Sequence, residues 1–273
     1  MKDLNATGGA LFTANNAVDL GNNTGWIING ASPLNLYWVG GTGNWNYSLH
    51  WSFTSGGAGG ACLPTAIDNV YFDANSFTAP NQTVTINVIN AVCNDMDWTG
   101  VTNNPTLTGP SSYPLRIYGS ITFVPSMNLS FAGCVYFEAT STGKTITMAG
   151  NQFNNNVYFQ GICGGWTFLD PFILDGFEDY IYFIHGNLNT NGNELKCSSF
   201  YSQSPNTRSL NISNSIITIQ NTYICGWSVS GTNLTLSATG SLIKFDASCA
   251  YTSGFNNSGG NLLIYNYVEF YDA

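Results

Sequence analysis

The chain has 273 residues, of which 44% are hydrophobic and 8% are charged, and its formal net charge is −9. The hydrophobic fraction excludes a disordered polar chain, and the excess of acidic over basic residues argues against nucleic acid and anionic membranes as partners. With so few charges, neutral polar side chains must keep the surface hydrated, either as solvated turns or as contacts for neutral polar surfaces such as glycans.

No apolar run of about 18 residues occurs, so the sequence predicts no membrane-spanning helix. The first residues, Met1–Asn5, lead into Thr7–Gly9 without the apolar core of a signal peptide. We therefore expect either a piece of a longer polypeptide, which we favour, or export without an amino-terminal signal.

Residues 1–36 form the first predicted segment, an N-terminal strand unit. Apolar residues in Leu11–Ala14 and Val18–Trp26 lie around a turn that is rich in Gly and Asn. This pattern predicts one or two strands with a tight connection. Ala31–Pro33 then marks a joint to the rest of the chain.

Residues 37–119 form a second region, rich in Gly and Trp, which contains the first turns of the main body. Trp38, Trp45 and Trp51 lie close together in the sequence with glycines between them. This arrangement predicts a compact aromatic cluster. Strands are expected at 69–73, 83–89, 106–108 and 115–118.

The most regular pattern is a tripeptide with apolar first and third residues, and it is densest in residues 120–273. It occurs as Val70–Phe72, Val135–Phe137, Val157–Phe159, Ile181–Phe183, Ile243–Phe245 and Val268–Phe270. The intervals of 22 (135 to 157), 24 (157 to 181) and 25 (243 to 268) lie in the range of stacked structural repeats. Alternation along a strand places the first and third residues on one face, which we expect to be the core. The core positions predicted in this way are Val135, Phe137, Val157, Phe159, Ile181, Phe183, Ile243 and Phe245.

Turn-forming Gly, Asn, Ser and Thr residues fill the intervals, and no stretch sustains the apolar spacing of a helix. A single short strand cannot bury its apolar face, whereas stacked turns of chain share a continuous core. We therefore predict an all-β chain that folds as an elongated β-helix or β-solenoid, with its regular part over residues 120–273.

Seven cysteines are spread along the chain at about one per repeat, and none forms a Cys-x-x-Cys pair. This spacing argues against zinc-ribbon and thioredoxin-like sites. Because free cysteine behaves as a small apolar residue, we expect most of them to fill the core. The alternative is one or two disulfides, with Cys62–Cys93 as the first candidate.

Several motifs occur in an informative order. They are Leu20–Trp26, Tyr37–Trp45, His50–Ser52, Pro64–Ala66, Asp68–Ser76, Gly164–Thr167 and Thr207–Leu210. Together they resemble a family of tandem repeat modules found in very large surface adhesins of Bacteroidetes and related bacteria, and in predicted fibre or adhesin proteins of environmental phages. The resemblance covers most of the chain.

In that family, the string that resembles Leu20–Trp26 ends one module and the string that resembles Tyr37–Trp45 begins the next. The first segment, residues 1–36, therefore also fits the end of a preceding repeat. The resemblance implies a right-handed parallel β-helix on a surface, with an adhesive or spacer function. It carries over no catalytic or cofactor-binding residues.

The densest acidic patch contains Asp170, Asp175, Glu178 and Asp179. Clustered carboxylates in a loop can bind calcium through their oxygen atoms, so calcium is the one candidate metal. The spacing matches neither an EF-hand loop nor a calcium-binding nonapeptide repeat. A solvated turn is the favoured alternative.

Asp68 and Asp73 bracket a predicted strand, and we interpret both as turn-fixing residues because their odd separation points them to opposite faces. His50 is interpreted as a hydrogen-bonded packing residue and His185 as a corner residue. With no catalytic triad or metal motif in the sequence, we expect no catalytic residues and no cofactor.

Three residues are candidates for ligand contact. Trp166 and Trp227 each follow a glycine, and they either stack inside the coil, which is favoured, or provide a platform for a sugar. Arg208 is one of two arginines in the chain, and it either pins a loop through backbone carbonyls, which is favoured, or contacts a ligand.

The sequence therefore predicts a non-enzymatic structural and adhesive module of an extended extracellular or cell-surface protein, acting as a stalk and as a face that contacts glycans or surfaces. Its expected partners are neighbouring modules or protomers of the same assembly, and glycans. Two alternatives stay open. One is a phage virion fibre or capsid-decoration protein on the virion surface, and the other is a β-helix polysaccharide lyase or glycosidase.

Overall fold

The computed structural model describes residues 1–174, 176, 179–220, 225–246 and 253–270. Within these ranges the chain is all-β and winds into a solenoid of about 8 stacked parallel turns. The predicted β-helix or β-solenoid is therefore confirmed. The helical structure in the described ranges is one 3₁₀ turn, Ser48–His50.

The strands are short and follow one another closely along the chain. In order they are β1 (Phe12–Ala17), β2 (Trp26–Gly30), β3 (Asn35–Trp38), β4 (Gly43–Asn44), β5 (Trp51–Ser52), β6 (Asn69–Tyr71), β7 (Thr83–Thr85), β8 (Ala91–Cys93), β9 (Met96–Asp97), β10 (Thr106–Gly109), β11 (Leu115–Ile117), β12 (Ile121–Thr122), β13 (Asn128–Phe131), β14 (Val135–Phe137), β15 (Lys144–Thr147), β16 (Val157–Phe159), β17 (Gly165–Phe168), β18 (Phe172–Ile173), β19 (Tyr180–Phe183), β20 (Gly186–Asn189), β21 (Leu195–Cys197), β22 (Ser199–Ser202), β23 (Arg208–Asn211), β24 (Ile216–Ile219), β25 (Cys225–Gly231), β26 (Leu234–Ser237), β27 (Leu242–Phe245), β28 (Ser253–Gly260) and β29 (Tyr267–Phe270).

The turns of the solenoid pass through three sides. One side is a ten-stranded sheet with the order β26-β23-β20-β17-β15-β12-β9-β6-β3-β5, and another is an eight-stranded sheet with the order β28-β25-β22-β19-β16-β14-β11-β8. The third side consists first of the four-stranded sheet β13-β10-β7-β4 and then of the five-stranded sheet β18-β21-β24-β27-β29. Apart from β5, neighbouring strands lie one turn apart in the chain, so hydrogen bonds between consecutive turns run along the axis.

The repeated tripeptides pair in register with one another in the eight-stranded sheet. Val135 pairs with Val157, and Val157 pairs with Ile181. In each of these strands the first and third residues of the tripeptide are buried, and the middle residue faces outward. The remaining tripeptides belong to other sides of the solenoid, namely Val70–Phe72 to the ten-stranded sheet, and Ile243–Phe245 and Val268–Phe270 to the five-stranded sheet. The same local pattern thus serves all three sides.

The core is a continuous column of apolar side chains inside the sheets. The residues that the sequence predicts to be structural are at most 1% exposed, and they are Trp38, Trp45, Trp51, Val135, Phe137, Val157, Phe159, Ile181, Phe183, Ile243 and Phe245. Aromatic rings of consecutive turns stack on one another, as for Phe137 and Phe159, whose ring centroids lie 4.9 Å apart. This stacking adds to the stability that burial of the rings provides.

The first turns are closed by the predicted tryptophan cluster. Trp51 lies on β5, which pairs antiparallel with β3 at one end of the ten-stranded sheet. Its ring packs edge-on against Trp38 and Trp45, at centroid distances of 5.2 and 4.9 Å. The indole N–H groups of Trp38 and Trp51 donate to backbone carbonyl oxygens, so burial of these rings leaves neither donor unpaired. The cluster therefore caps an apolar end of the coil, as terminal repeats do in solenoids.

The N-terminal segment forms its own two-stranded sheet from β1 and β2. The predicted strands are present, but they pair in parallel, with Phe12 opposite Trp26. A parallel pair cannot be joined by a two-residue hairpin. The expected tight connection is therefore wrong, and the chain makes a wider turn between the two strands.

Corners of the coil use backbone conformations that glycine and asparagine adopt most readily. Gly186 has a φ of +83°, and a Cβ atom at this position would lie 2.5 Å from the carbonyl oxygen of Gly164. Asn191, Asn214 and Asn233 also have positive φ values. The frequent Gly and Asn residues of the sequence therefore follow in part from the number of corners.

Replacing Phe159 with alanine is expected to lower the free energy of unfolding by about 3–5 kcal/mol, because its buried ring packs against Phe137 and Trp166. Leu169→Ala is the matched control. Leu169 is 52% exposed, and its truncation is expected to change the free energy by less than about 0.5 kcal/mol. Chemical denaturation of both variants and the parent chain measures the two values. Equal losses would contradict the assigned core.

Candidate functional site

The outer face of the eight-stranded sheet carries a stack of four tyrosines, which we call the tyrosine ladder. Its members are Tyr136, Tyr158, Tyr182 and Tyr201, which lie on β14, β16, β19 and β22 and pair in register. Successive ring centroids are 4.6, 4.7 and 5.5 Å apart, with interplanar angles of 12°, 6° and 21°. All four side chains are half-buried. The ladder exists because parallel pairing in register places each tyrosine beside the equivalent residue of the preceding turn.

Arg116 closes one end of the ladder. Its guanidinium carbon lies 4.4 Å from the ring centroid of Tyr136, and its Nη1 atom donates to Oε1 of Glu138 at 3.0 Å. The same oxygen accepts from Gln160 Nε2 at 2.7 Å and from Lys2 Nζ at 3.5 Å. This network connects the N-terminal segment to the coil and to the ladder.

The pKa of Glu138 reflects opposing effects at a site where the side chain is only 3% exposed. Burial by itself would raise this pKa, whereas hydrogen bonds from Tyr118 and Gln160 lower it. The positive charges of Arg116 and Lys2 lower it further. The net result is a pKa below the ordinary value, so Glu138 is ionised at physiological pH.

Three tyrosines of the ladder, Tyr136, Tyr158 and Tyr182, are held as neutral phenols. Burial, with smaller contributions from Cys134, Tyr136 and Tyr182, raises the pKa of Tyr158 to about 12. Burial is also the main cause that raises the pKa values of Tyr136 and Tyr182. Their hydroxyl groups can therefore donate hydrogen bonds throughout the physiological pH range.

A second surface, on the ten-stranded sheet, is polar and uncharged, and we call it the neutral face. Its members are the outward residues Thr122, Thr145, Thr147, Thr167, Asn187, Asn189, Ser209, Asn211, Thr235 and Ser237, all half-buried or exposed. Two charged residues lie at its borders, namely Asp97, the register partner of Thr122 on β9, and Lys144 at the start of β15. Pairing in register arranges these residues in columns along the axis, as for Ser209 between Asn187 and Thr235. Hydroxyl and amide groups therefore recur about every 4.8 Å, where they can hydrogen-bond to an extended neutral partner.

The predicted ligand-contact tryptophans lie inside the coil. Trp166 and Trp227 are at most 1% exposed, and their rings pack against Phe159 and Phe200 at centroid distances of 5.4 and 4.6 Å. A sugar outside the coil has no access to either ring face. The sugar-platform alternative is therefore wrong at both positions, and the favoured interpretation, packing inside the coil, is confirmed.

Arg208, the third predicted ligand-contact residue, is 2% exposed. Its Nε atom donates to the carbonyl oxygen of Asn206 at 3.1 Å, and its Nη1 atom donates to the carbonyl and hydroxyl oxygens of Ser202. Its Nη2 atom donates to the carbonyl oxygens of Ser230 and Thr232, at 3.1 and 2.8 Å. The guanidinium group thus ties together backbone segments of two consecutive turns, which is the loop-pinning alternative. Burial lowers the pKa of Arg208.

The predicted calcium patch is described only in part, because Asp175 and Glu178 lie outside the described residues. Asp170 accepts hydrogen bonds from two backbone N–H groups of the preceding turn, including that of Met148 at 2.7 Å. Its carboxylate therefore holds a corner, and Asp179 is buried. Among the described residues, no group of three or more His, Cys, Asp or Glu side chains is placed to hold a metal ion.

The turn-fixing interpretation is confirmed for both aspartates beside β6. Asp68 accepts from the backbone N–H groups of Leu34 and Thr65, each at 2.8 Å. Asp73 accepts from the backbone N–H group of Asn75 at 2.9 Å. These carboxylates satisfy backbone donors that the short strands leave unpaired.

The two histidines occupy the kinds of position that the sequence predicts. The Nδ1 atom of His50 lies 2.8 Å from the carbonyl oxygen of Val39, and the ring stacks on Trp38 at 4.7 Å. His185 lies at the corner between β19 and β20, beside a cavity of about 490 Å³ that Cys163 also lines. Burial and the nearby positive charges lower the pKa of His185, so its imidazole is neutral at physiological pH.

The Cys62–Cys93 disulfide, the alternative to core filling, is wrong, because all five cysteines whose side chains are described are free thiols. Cys62 is exposed, whereas Cys93 is buried on the inner face of β8. Core filling is confirmed for Cys93 and Cys197, and burial raises the pKa of both thiols. Cys134 is half-buried, and Cys62 and Cys163 are exposed, so the expectation that most cysteines fill the core is wrong for the five that are described.

The tyrosine ladder and the network around Glu138 are the features that sequence reasoning missed. The ladder has a signal in the sequence, since the tripeptides that begin at 135, 157 and 181 share tyrosine as their middle residue. The core pattern of these tripeptides is defined by their buried first and third residues, and the outward middle residue is not part of it. The network has no comparable signal, because Lys2, Arg116 and Glu138 are far apart in the chain.

No protein-family model, no curated protein and no solved structure matches this chain. In the part of the chain that the structure describes, no helix is long and apolar enough to cross a membrane.

Glu138→Gln is expected to flatten the acid dependence of stability. Because the pKa of Glu138 is lowered in the folded chain, its contribution is present above the ordinary value of 4.5 and is lost as the pH falls through the lower folded value. The melting temperature of the parent should exceed that of the variant at neutral pH, and the difference should shrink on acidification. Glu269→Gln, at an exposed position on β29, is the control. A difference in melting temperature between the parent and Glu138→Gln that stays constant with pH would contradict the assigned network.

Arg208→Lys is expected to lower the free energy of unfolding by about 2–4 kcal/mol, because one ammonium group cannot serve carbonyl oxygens in several loops and leaves buried acceptors unpaired. The other arginine provides the control. Arg116 is 31% exposed, and Arg116→Lys keeps a cation beside Glu138, so a change of less than about 1 kcal/mol is expected. Urea unfolding measures both. The assignment fails if the control loses as much as the Arg208 variant.

Proposed function

We propose that this chain is a non-enzymatic structural and adhesive module of an extended cell-surface protein, in which the coil acts as a stalk and the neutral face contacts glycans. Its partners are then neighbouring modules or protomers of the same assembly, and its location is extracellular. The observation that carries the proposal is the combination of a continuous parallel coil with a side of exposed, uncharged hydrogen-bonding groups.

The coil supports the stalk role by its dimensions. About 8 turns are stacked along one axis, and strands of neighbouring turns lie about 4.8 Å apart, so the module spans on the order of 40 Å. The strands of each turn pair with those of the neighbouring turns, so the same architecture can be lengthened by further repeats without a change in its core.

The neutral face supports the adhesive role by its chemistry. Its columns contain hydroxyl and amide groups such as those of Thr167, Ser209 and Thr235, and none of its members is charged. Neutral glycans present hydroxyl groups that donate and accept hydrogen bonds, and these match such columns without the cost of desolvating a charge.

A phage virion fibre or capsid-decoration protein is a second candidate, with attachment to a host surface or glycan as its role. The observation that favours it is the free state of the five described cysteines, two of them exposed. Virion proteins assemble in the reducing cytosol, where disulfides are rare. The neutral face would then serve attachment of the virion.

The adhesive role predicts retention of the chain by at least one polysaccharide in a panel of insoluble neutral glycans, including cellulose and chitin. The variant Ser209→Glu/Thr235→Glu places two charges on paired positions of the neutral face, and its retention should fall at least about tenfold, since each buried unpaired charge costs well over 1.4 kcal/mol. The control is Thr83→Glu/Thr106→Glu, an equally spaced pair on the four-stranded sheet, which should bind like the parent.

Two outcomes would contradict this proposal. Equal losses in the two variants, or no retention on any glycan, would remove the adhesive role of the neutral face. Release of soluble sugars or of unsaturated products from the glycans would instead support a polysaccharide lyase or glycosidase.

A further inference from the structure

The tyrosine ladder has a geometry that neither a stalk nor a glycan-binding face requires. The ring faces of Tyr158 and Tyr182 are covered by neighbouring tyrosines, and one face of Tyr136 is covered by the guanidinium of Arg116. A sugar cannot stack on faces that other groups already cover. Solvent reaches the half-buried rings at their edges and hydroxyl groups, so the ladder is better placed for reactions of phenols than for stacking on a ligand.

We propose that the tyrosine ladder is a site of oxidative cross-linking, at which a one-electron oxidant joins tyrosines of consecutive turns as dityrosine. A peroxidase that uses hydrogen peroxide is an oxidant of this class. The inference goes beyond the proposed function, because it concerns a different face of the coil and holds whether or not the neutral face binds glycans.

The reaction balances as a two-electron oxidation. Each of two adjacent phenols loses one electron and one proton, which leaves two phenoxyl radicals with spin density on the carbons ortho to oxygen. One C–C bond forms between two ortho carbons, and the hydrogen on each of these carbons then moves to the oxygen, which restores both aromatic rings. The two electrons and two protons released convert one hydrogen peroxide molecule to two water molecules.

The spacing of the ladder favours coupling within the chain. Tyr136 and Tyr158 are stacked at 4.6 Å, and Tyr158 and Tyr182 at 4.7 Å, with angles of at most 12° between their planes. Adjacent edges of these nearly parallel rings are therefore close, and a tilt of the two rings brings ortho carbons together. The buried Val157 and Phe159 anchor the strand on either side of Tyr158. The ring of Tyr158 therefore stays next to the rings of Tyr136 and Tyr182 when radicals form on them.

Such a cross-link would join consecutive turns of the coil covalently. Tyr136 and Tyr158 are joined in sequence by one turn of the coil, and a bond between their rings closes that turn as a loop. A closed loop restricts the unfolded chain, as a disulfide does. Oxidation of the ladder should therefore make the coil more resistant to heat.

The test uses the full chain with horseradish peroxidase and hydrogen peroxide, followed by dityrosine fluorescence and mass spectrometry of cross-linked peptides. We expect monomeric product with links 136–158, 158–182 and 182–201, and a higher melting temperature than that of untreated protein. Tyr158→Phe keeps a ring in the stack but removes the phenol. This variant should lose the first two links and keep 182–201.

Tyr47→Phe is the matched control, since Tyr47 is 51% exposed and its ring lies 5.7 Å from His50, outside the ladder. This variant should give the same ladder links as the parent, and circular dichroism should show that both variants stay folded. Links found mainly between chains, links that avoid the ladder, or an absence of dityrosine would overturn the proposal. Ladder links without any rise in melting temperature would contradict the stabilising role of the cross-link.

Discussion

Parallel pairing in register between consecutive turns is the constraint on which the rest of this structure depends. Apart from β5 and the separate pair β1 and β2, each strand of the coil hydrogen-bonds to strands of neighbouring turns, so a residue type that recurs at the same position becomes a column along the axis. Inside the coil this produces stacks such as Phe137 on Phe159. Outside it produces the tyrosine ladder and the columns of the neutral face. Core and surface therefore share one geometric origin.

The low charge of the chain has a physical explanation in the same constraint. A charged residue that recurs in an outward column would face a like charge about 4.8 Å away, which is destabilising. Neutral hydroxyl and amide groups carry no such penalty. Where charges do lie on the eight-stranded side they are complementary, as Arg116 beside Glu138 shows. Arg116 also covers Tyr136, so this ion pair contributes to the order of the ladder.

Corners place a second demand on the sequence, because the chain leaves the sheets there and backbone groups lose their strand partners. Polar side chains take over this task. Asp68 and Asp170 accept from backbone N–H groups, and Arg208 donates to backbone carbonyls of two turns. Arg208, which the sequence suggests as a ligand-contact residue, and Asp170, which it suggests as a calcium ligand, thus both hold corners of the coil. Under the proposed function, recognition depends instead on outward side chains such as those of the neutral face.

Local patterns in the sequence determined the all-β class, the solenoid, the tripeptide core positions and the tryptophan cluster, because alternation and turn chemistry act over a few residues and do not depend on distant contacts. Only the tertiary structure decided which residues meet across turns. It separated Cys62 from Cys93, buried Trp166, Trp227 and Arg208, paired β1 with β2 in parallel and brought Lys2 to Glu138. These outcomes depend on register and turn length, which vary from one turn to the next and which short-range patterns do not encode.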